Sequence, residues 1–350
     1  MHDLTSKLIS WYRQNKRDLP WRRTKDPYLI WLSEIILQQT RINQGLPYYL
    51  KFAKQFPTVH HLAKAEEKEV LKLWQGLGYY SRARNLHSAS KYISKDLHGK
   101  FPSTYNEIIK LKGVGQYTAG AIASIAFNEP KPVVDGNVFR VLSRYFGIST
   151  PIDSGKAKKE FYALAENLID RKAPAQFNQA MMEFGSLQCT PMNPDCSNCI
   201  LHMSCSAFAE KKVGSLPVKM KKTRSRNRYF NYLVFRKGKK VLTRERTQND
   251  IWKGLNDFPC IETKVPTKTE RLLRSKEFRK LIGKNKFRID RFSKMKKHVL
   301  SHQVIFGNFI EFEIMEFPKI PLCSVVKEKE FVKLALPRLI EKFISASKSE

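Results

Sequence analysis

The chain has 350 residues, of which 42% are hydrophobic, and it carries a formal net charge of +32 with an isoelectric point near 9.9. The length predicts about two or three domains, and no apolar run is long enough to span a membrane. No signal peptide is recognisable, so we expect a soluble cytoplasmic protein, associated with the nucleoid if the source is bacterial. The charge indicates a polyanionic partner, unless it serves solubility or reflects adaptation of the source organism.

The N-terminal half reads as helices throughout. An amphipathic helix over residues 3–17 is followed by a break at 19–22, and Asp26 with Pro27 then caps a new helix through residue 37. This second helix is apolar nearly all round, so we expect it to be buried, and with it Glu34, whose carboxyl should keep its proton. Further helices are predicted at residues 43–55, 66–74, 81–97, 104–111, 116–127, 136–146, 155–170 and 174–187.

Residues 111–120 predict two helices joined by a glycine-containing hairpin. Gly113 and Gly115 permit backbone angles and close approaches that other residues do not, and the amides of residues 114–117 would face outward as an anion site. A tight helix connection without a ligand is the alternative. Farther on, Asp135 stands at the N-cap of the next helix, where we expect its pKa to be lowered.

A short loop contains four of the six cysteines. Six, two and five residues separate Cys189, Cys196, Cys199 and Cys205. Without an export signal, this compact spacing predicts a metal site rather than disulfides. Four thiolates suit zinc or an iron-sulfur cluster, and the presence of one tight pair leans modestly towards iron. Cys260 and Cys323 read as ordinary buried thiols.

A basic segment over residues 211–228 contains no acidic residue and predicts an interdomain linker that also lies on phosphate. Beyond it the pattern changes to strands, at 229–236 and 240–243 and again at 297–302 and 304–313. Helices are expected near 269–281 and 328–345. The second domain is therefore predicted to be α+β.

Together these segments resemble the helix-hairpin-helix DNA glycosylases, the endonuclease III superfamily, and within it the MutY family of adenine DNA glycosylases. The resemblance covers nearly the whole chain and rests on residues 19–22, 31–40, 76–86, 111–120, 134–138, 252–259, 298–302 and the four cysteines. It implies an all-α glycosylase domain over 1–212 with an iron-sulfur loop at 189–205, a basic linker at 213–228, and a Nudix-like 8-oxoguanine recognition domain over 229–350.

The resemblance implies a monofunctional and monomeric enzyme that excises adenine mispaired with 8-oxoguanine or guanine from double-stranded DNA. Glu34 would protonate adenine N7, and Asp135 would stabilise or capture the oxocarbenium-like sugar. Cleavage of an N-glycosidic bond needs two such carboxyl groups in opposite ionisation states. Tyr117 and Asn137 would assist at the sugar, and Arg22 would contact the base.

The same resemblance assigns DNA contacts to Gln39, Tyr79, Gly113, Gly115, Ser301 and His302. The first two would wedge into the base stack during flipping, the glycines would hold phosphate, and the last two would read the base opposite adenine. Plain packing is the alternative for Tyr79, and an ordinary polar hairpin for Ser301 and His302. In the family this cysteine spacing holds a 4Fe-4S cluster.

Two other classes are disfavoured. In endonuclease III a lysine matches Tyr117 and cleaves the strand through a Schiff base, which a phenol cannot form. A catalytically silent DNA-binding scaffold does not account for Glu34 together with Asp135. Departures from the family are Leu300 and Asn256, where an aromatic is common, and a loop at 190–195 without Lys or Arg. Residues 229–350 have no Nudix box, so nucleotide hydrolysis is not expected.

Overall fold

The computed structural model describes residues 3–220, 225–293, 295–300 and 302–347. The chain forms two compact units. The helical unit comprises residues 1–64 and 85–222, and the sheet unit comprises residues 65–84 and 223–350. Over the described ranges no helix has both the length and the hydropathy needed to cross a membrane.

Residues 3–209 contain the predicted series of helices. Single 3-10 turns lie at Pro20–Arg22 and His202–Ser204. The α-helices are α1 (Asp3–Asn15), α2 (Pro27–Leu37), α3 (Ile42–Gln55), α4 (Val59–Lys64), α5 (Glu67–Trp74), α6 (Ser81–Lys95), α7 (Tyr105–Ile108), α8 (Gln116–Phe127), α9 (Gly136–Phe146), α10 (Gly155–Leu168), α11 (Pro174–Leu187) and α12 (Ser206–Ala209).

Helix α2 is buried, as its composition predicts. The Asp26 carboxylate caps it by accepting from the Tyr28 amide at 2.9 Å, and Pro27 begins the first turn. Trp31 and Leu32 are fully buried, and Glu34 is only 7% exposed. Because α2 is capped locally and apolar on nearly all sides, it is buried, and the Glu34 carboxyl group lies in the interior of the helical unit.

The hairpin between α7 and α8 is shorter on its first side than predicted, because the predicted helix over 104–111 extends only from Tyr105 to Ile108. Gly113 has φ +82, and the Val114 amide donates to the Leu111 carbonyl at 3.0 Å. Two expectations are therefore wrong. Val114 does not present its amide outward, and Gly115, with φ −101, has ordinary extended backbone as the N-cap of α8. The amides of the first turn of α8 have no acceptor within the helix.

Asp135 is positioned by a buried amide on α11. Asn178 accepts a hydrogen bond from the Val133 amide at 3.1 Å and donates to the Lys131 carbonyl at 2.8 Å. These bonds hold the extended segment that leads into α9, so the N-cap of α9 faces the cavity described below. Helices α1, α9, α10 and α11 then share one apolar core.

The sheet unit contains an eight-stranded mixed sheet in which β1 and β7 run parallel and the other pairs are antiparallel. Its strands are β1 (Arg226–Lys237), β2 (Lys240–Glu245), β3 (Asn256–Asp257), β4 (Cys260–Thr263), β5 (Phe287–Phe292), β6 (Lys296–Val299), β7 (Gln303–Ile314) and β8 (Cys323–Lys327). Its C-terminal helices are α13 (Thr269–Leu273), α14 (Lys276–Ile282), α15 (Glu328–Phe331) and α16 (Arg338–Ser347).

The four strand segments predicted from the sequence are present, whereas β3, β4, β5 and β8 were not predicted. The sequence also does not indicate that α5 packs with this sheet unit. The Lys72 ammonium donates to the carbonyls of Val332 and Leu334, each at 2.8 Å, and the Gln75 side chain accepts from the Leu336 amide at 3.0 Å. These hydrogen bonds join residues that are far apart in the chain, so no local sequence pattern indicates them.

The described residues of the predicted linker at 213–228 make contacts with folded segments of both units, each within its own unit. Leu216 is buried, and its carbonyl accepts from Arg144 at 3.0 Å, while the Met220 amide donates to Asp153 at 3.0 Å. At the other end Arg228 lies within β1 and pairs with Asp250 at 2.8 Å. Arg228 is therefore engaged within the sheet unit rather than lying on phosphate.

We predict that Gly113→Ala destabilises the chain by about 1–3 kcal/mol, because its φ is positive and a Cβ would lie 2.7 Å from the Asn85 Cβ. Gly115→Ala is the matched control, since a Cβ there meets nothing within 4 Å. Urea unfolding of both variants measures the difference. Equal stability of the two variants would contradict this account of the hairpin.

Candidate active site

A cavity of ≈ 510 Å³ in the helical unit brings five of the predicted site residues together. Helix α2 contributes one wall, and α8 with the first turn of α9 contributes another. Helix α11, the segment at 17–22 and the residues at 40–43 close the remainder. The predicted residues that line it are Arg22, Glu34, Tyr117, Asp135 and Asn137.

Glu34 is the buried acid that the sequence predicts. Burial raises its pKa to about 7, and the Asp135 carboxylate adds to this, although a hydrogen bond with Tyr117 and the Arg22 charge oppose it. Burial also raises the pKa of Tyr117 well above its ordinary value, so this residue remains a neutral phenol. Its hydroxyl also lies 3.4 Å from the Met182 sulfur. A carboxyl group with such a pKa holds a proton at neutral pH in a substantial fraction of molecules.

Asp135 has a different environment from Glu34. Its carboxylate accepts from the backbone amides of Asn137 and Val138, each at 2.9 Å, and from the Asn137 side chain at 2.8 Å. The expected lowering of its pKa is nevertheless wrong in direction, because loss of water around the group raises the pKa more than these donors lower it. The donors still stabilise the ionised form specifically.

Asn137 is itself oriented by a chain of hydrogen bonds that reaches the cysteine loop. Its side-chain oxygen accepts from Arg140 at 2.9 Å, and Arg140 donates to the Cys189 carbonyl at 2.7 Å. The amide group of Asn137 is thereby forced to present its nitrogen to Asp135. The position of the cysteine loop is coupled through these contacts to the carboxylate in the cavity.

Glu183 and Arg17 are cavity residues that the sequence analysis missed. Glu183 accepts from Arg17 at 2.9 and 2.6 Å and from Arg22 at 2.9 and 2.8 Å. Burial opposes ionisation, but these hydrogen bonds outweigh it and lower the pKa of Glu183 to about 2. The available signal was weaker than for Glu34, because Gln179 and Ser186 lie one turn from Glu183 on α11. Its partners lie some 160 positions away, which no local pattern indicates.

The two residues expected to wedge into a base stack are both exposed and have left-handed backbone. Gln39 has φ 53 in the turn after α2, in the helical unit. Tyr79 has φ 48 and is 42% exposed, in the sheet unit, with the Arg82 guanidinium 5.6 Å from its ring. A non-glycine residue in this conformation is uncommon and is held only where its surroundings require it.

The four loop cysteines line a common small cavity of ≈ 30 Å³ next to α9. The Leu201 amide donates to the Cys199 sulfur at 3.4 Å, and an Arg144 nitrogen lies 3.4 Å from the Cys189 sulfur. Donors of this kind suit sulfur atoms that carry negative charge. In the described part of the chain, no group of three or more His, Cys, Asp or Glu side chains is arranged to hold a metal ion.

The turn between β6 and β7 contains the residues predicted to read the opposite base. The Leu300 amide donates to the Gln303 carbonyl at 2.8 Å, and the exposed His302 accepts at its carbonyl from the Arg226 amide at 3.3 Å. Ser301 lies outside the described residues. On β6, just before this turn, the centroid of the His298 ring lies 5.8 Å from that of the Trp252 ring.

Comparison with known proteins identifies the families that the two parts of the chain match. Residues 32–168 match the family model of the HhH-GPD superfamily base excision DNA repair proteins, and residues 231–346 match that of the NUDIX domain. A thermostable thymine-DNA glycosylase structure is similar with a TM-score of 0.55 and 31% identity, over 59% of this chain and 95% of that one. An endonuclease III–DNA complex shares the fold, with a TM-score of 0.51 and 20% identity.

The fold and the cavity thus define a helix-hairpin-helix base excision repair glycosylase with a C-terminal Nudix-like domain, which confirms the predicted fold class. Adenine DNA glycosylase of Buchnera aphidicola from Schizaphis graminum is 36% identical over 74% of this chain and 75% of its own length. The Baizongia pistaciae strain protein is 34% identical over 86% and 83%, and the human protein 44% over 57% and 38%. The chain belongs to the adenine DNA glycosylase family.

We predict that Glu183→Gln lowers the free energy of unfolding at neutral pH by about 3 kcal/mol or more, because two guanidinium groups lose their buried counter-charge. The folded-state pKa of Glu183, about 2, lies below its ordinary 4.5, so its contribution is present above the ordinary value and lost as the pH falls towards 2. The difference from wild type in urea unfolding should therefore narrow in acid. Glu166→Gln, an exposed site on α10, is the control.

Proposed function

We propose that this glycosylase hydrolyses the N-glycosidic bond of adenine paired with 8-oxoguanine or guanine in double-stranded DNA. The observation that carries the proposal is the pair of carboxyl groups in one cavity of ≈ 510 Å³. Glu34 has a pKa near 7, and Asp135 accepts three hydrogen bonds that favour its anion. Such a division of protonation states suits cleavage of a glycosidic bond.

Glu34 acts as the general acid in this proposal. Once the base has been flipped into the cavity, Glu34 donates its proton to adenine N7 while the bond between the sugar C1′ and adenine N9 breaks. The electron pair of that bond stays on the adenine, which leaves as a neutral base. Arg22, held by Glu183 at 2.8 Å, lines the same cavity and faces the base.

Asp135 stabilises the positive charge that develops on the sugar, or captures C1′ covalently before water attacks. Its carboxylate needs no reorganisation for this step, because Asn137 and the first amides of α9 already hold it. Water then adds to C1′, and its proton restores Glu34. Tyr117 supplies a neutral hydroxyl beside both carboxyl groups, and since a phenol forms no Schiff base, the reaction stops at base removal.

The helix-hairpin-helix surface is proposed to hold the DNA backbone. The first amides of α8 have no intrahelical acceptor, and the space where a Gly115 side chain would lie is open, so a phosphate has access to them. Gln39 and Tyr79 are proposed to fill the stack as adenine leaves it. Both are exposed and both have left-handed backbone, which suits that role.

The four loop cysteines are proposed to hold a 4Fe-4S cluster, as this spacing does in the family. The shared cavity and the donors that approach the sulfurs support this ligand set. When bound, the cluster supplies a thiolate-held crosslink that orders the loop. Arg140 donates hydrogen bonds to both the Cys189 carbonyl and the Asn137 side chain, so an ordered loop would also help to position Asn137 and Asp135. Metal analysis of the purified chain separates iron from zinc.

The sheet unit is proposed to read the base opposite adenine through Ser301 and His302. Adenine is a normal base, so excision is safe only if its partner is recognised as well. His302 is exposed immediately before the start of β7. Leu300 is half-buried at the position where relatives often have an aromatic, so polar contacts are expected to provide most of the discrimination.

We predict that Glu34→Gln abolishes adenine excision in a single-turnover assay on an A:8-oxoguanine duplex while duplex binding persists, since an amide donates no acid proton. In the wild type the excision rate should fall about tenfold per unit above the Glu34 pKa of about 7, and it should also fall in acid, where Asp135 takes up a proton. Glu166→Gln serves as the control. A near wild-type rate in Glu34→Gln, or a rate that is level through pH 9, would remove Glu34 from this role.

We predict that Ser301→Ala combined with His302→Ala reduces the preference for 8-oxoguanine over guanine about tenfold or more, because each polar contact to a base edge is worth about 1–3 kcal/mol. Single-turnover rates on the two duplexes give the ratio. Ser324→Ala, an exposed site on β8, should leave the ratio unchanged. If the double variant keeps the wild-type ratio, another surface reads the opposite base.

A further inference from the structure

A second cavity, of ≈ 1110 Å³, lies in the sheet unit where β1 ends and β2 begins. It is far from the proposed base-reading turn. Arg226, the first residue of β1, bonds to His302, whereas Arg236 and Lys237 at the other end of β1 border the cavity. At the rise of a strand this separation is about 30 Å. The cavity is therefore separate from the turn proposed to read the opposite base, and it shares no lining residue with the active-site cavity.

Three lysines face one another across three strands beside this cavity. Lys237 on β1 pairs with Lys240 on β2, and Lys240 pairs with Lys327 on β8. Directly opposed residues project to the same side of a sheet, and like charges in such positions destabilise it. Lysines placed for solubility or to protect a sheet edge do not need to oppose one another. The arrangement suggests an anionic ligand that compensates the repulsion.

The acidic residues at the cavity do not neutralise these lysines. Glu311 is buried and pairs with Arg236 at 3.1 Å and with Arg291 at 2.9 Å. Glu328 pairs with Arg236, and Asp290 lies 3.8 Å from Arg288. Within the described ranges, no carboxylate forms an ion pair with the exposed lysines of the rim, which are Lys237, Lys239, Lys240, Lys327 and Lys329.

The cavity also has an apolar component. Val325 lies on the same side of β8 as Lys327, two residues along, and is 44% exposed, and the half-buried Phe317 lines the same cavity. The other aromatics there, Phe258 and Phe331, are 1% and 3% exposed and pack against each other at 4.9 Å. They offer no open face for stacking a nucleotide base, and a duplex is too wide for a concave site.

We propose that this cavity binds an acidic peptide segment of a partner protein, with the lysine row holding its carboxylates and Val325 and Phe317 contacting its apolar side chains. Charge complementarity and the apolar side chains of Val325 and Phe317 together favour this occupant over a nucleic acid. The site would attach the glycosylase to another protein through a surface that leaves the active-site cavity of the helical unit unaltered.

The test uses the full chain and a fluorescein-labelled synthetic peptide in which Glu alternates with Leu and Phe, measured by fluorescence anisotropy. A variant with Lys237→Gln, Lys240→Gln and Lys327→Gln should weaken binding about tenfold or more. The matched control, Lys264→Gln with Lys268→Gln and Lys276→Gln, removes the same charge from exposed sites on the same unit that do not border the cavity. It should change binding less than about twofold.

Two further readouts separate the proposal from general charge attraction. The Tm of the cavity variant should equal or exceed that of the wild type, because removing opposed like charges relieves repulsion. Its adenine excision rate should not change. Val325→Asp should weaken peptide binding as well. No binding by the wild-type chain, or equal weakening by both triple variants, would overturn the proposal. Displacement of the peptide by oligothymidine or ATP, with no effect of Val325→Asp, would assign the cavity to a nucleic acid or nucleotide instead.

Discussion

Burial of carboxyl groups around one cavity is the constraint on which the helical unit depends. Glu34, Glu183 and Asp135 all line that cavity, and each meets the cost of burial differently. The raised pKa of Glu34 lets it keep its proton, and two arginines neutralise the charge of Glu183. Three hydrogen-bond donors stabilise the carboxylate of Asp135. The surrounding helices have to bring these compensating groups to the cavity. The chemistry of the site follows from those differences.

The groups that stabilise these three carboxyl groups also interact with one another. Arg22 bonds to Glu183 and its charge also lowers the pKa of Glu34, while the charge of Asp135 raises it. The proton affinity of Glu34, raised mainly by burial, is thus also adjusted by Asp135 at the start of α9 and by Arg22 in the segment before α2. Any ligand that changes the charge at one of these positions changes the protonation of the others.

The described part of the sheet unit contains both paired and unpaired basic side chains. On one side of β1 and β2, Arg228, Arg244 and Arg246 are paired with Asp250 or Asp257 at 2.8–3.1 Å. At the end of the same strands, Lys237 and Lys240 oppose each other without such partners among the described residues. At this sheet, therefore, these three arginines are used within the fold, whereas Lys237 and Lys240 remain available at the surface.

What the sequence alone determined is local. The capped apolar helix that buries Glu34, the positive φ of Gly113, the Asp135 cap, the cysteine loop and four strand segments all depend on residues a few positions apart. Capping, turn geometry and periodicity act over that range. Only the tertiary structure decided the pairing of Glu183 with Arg17 and Arg22, the raised pKa of Asp135, and the packing of α5 with the sheet unit. These depend on desolvation and on contacts between distant segments, which exist only after the chain has folded.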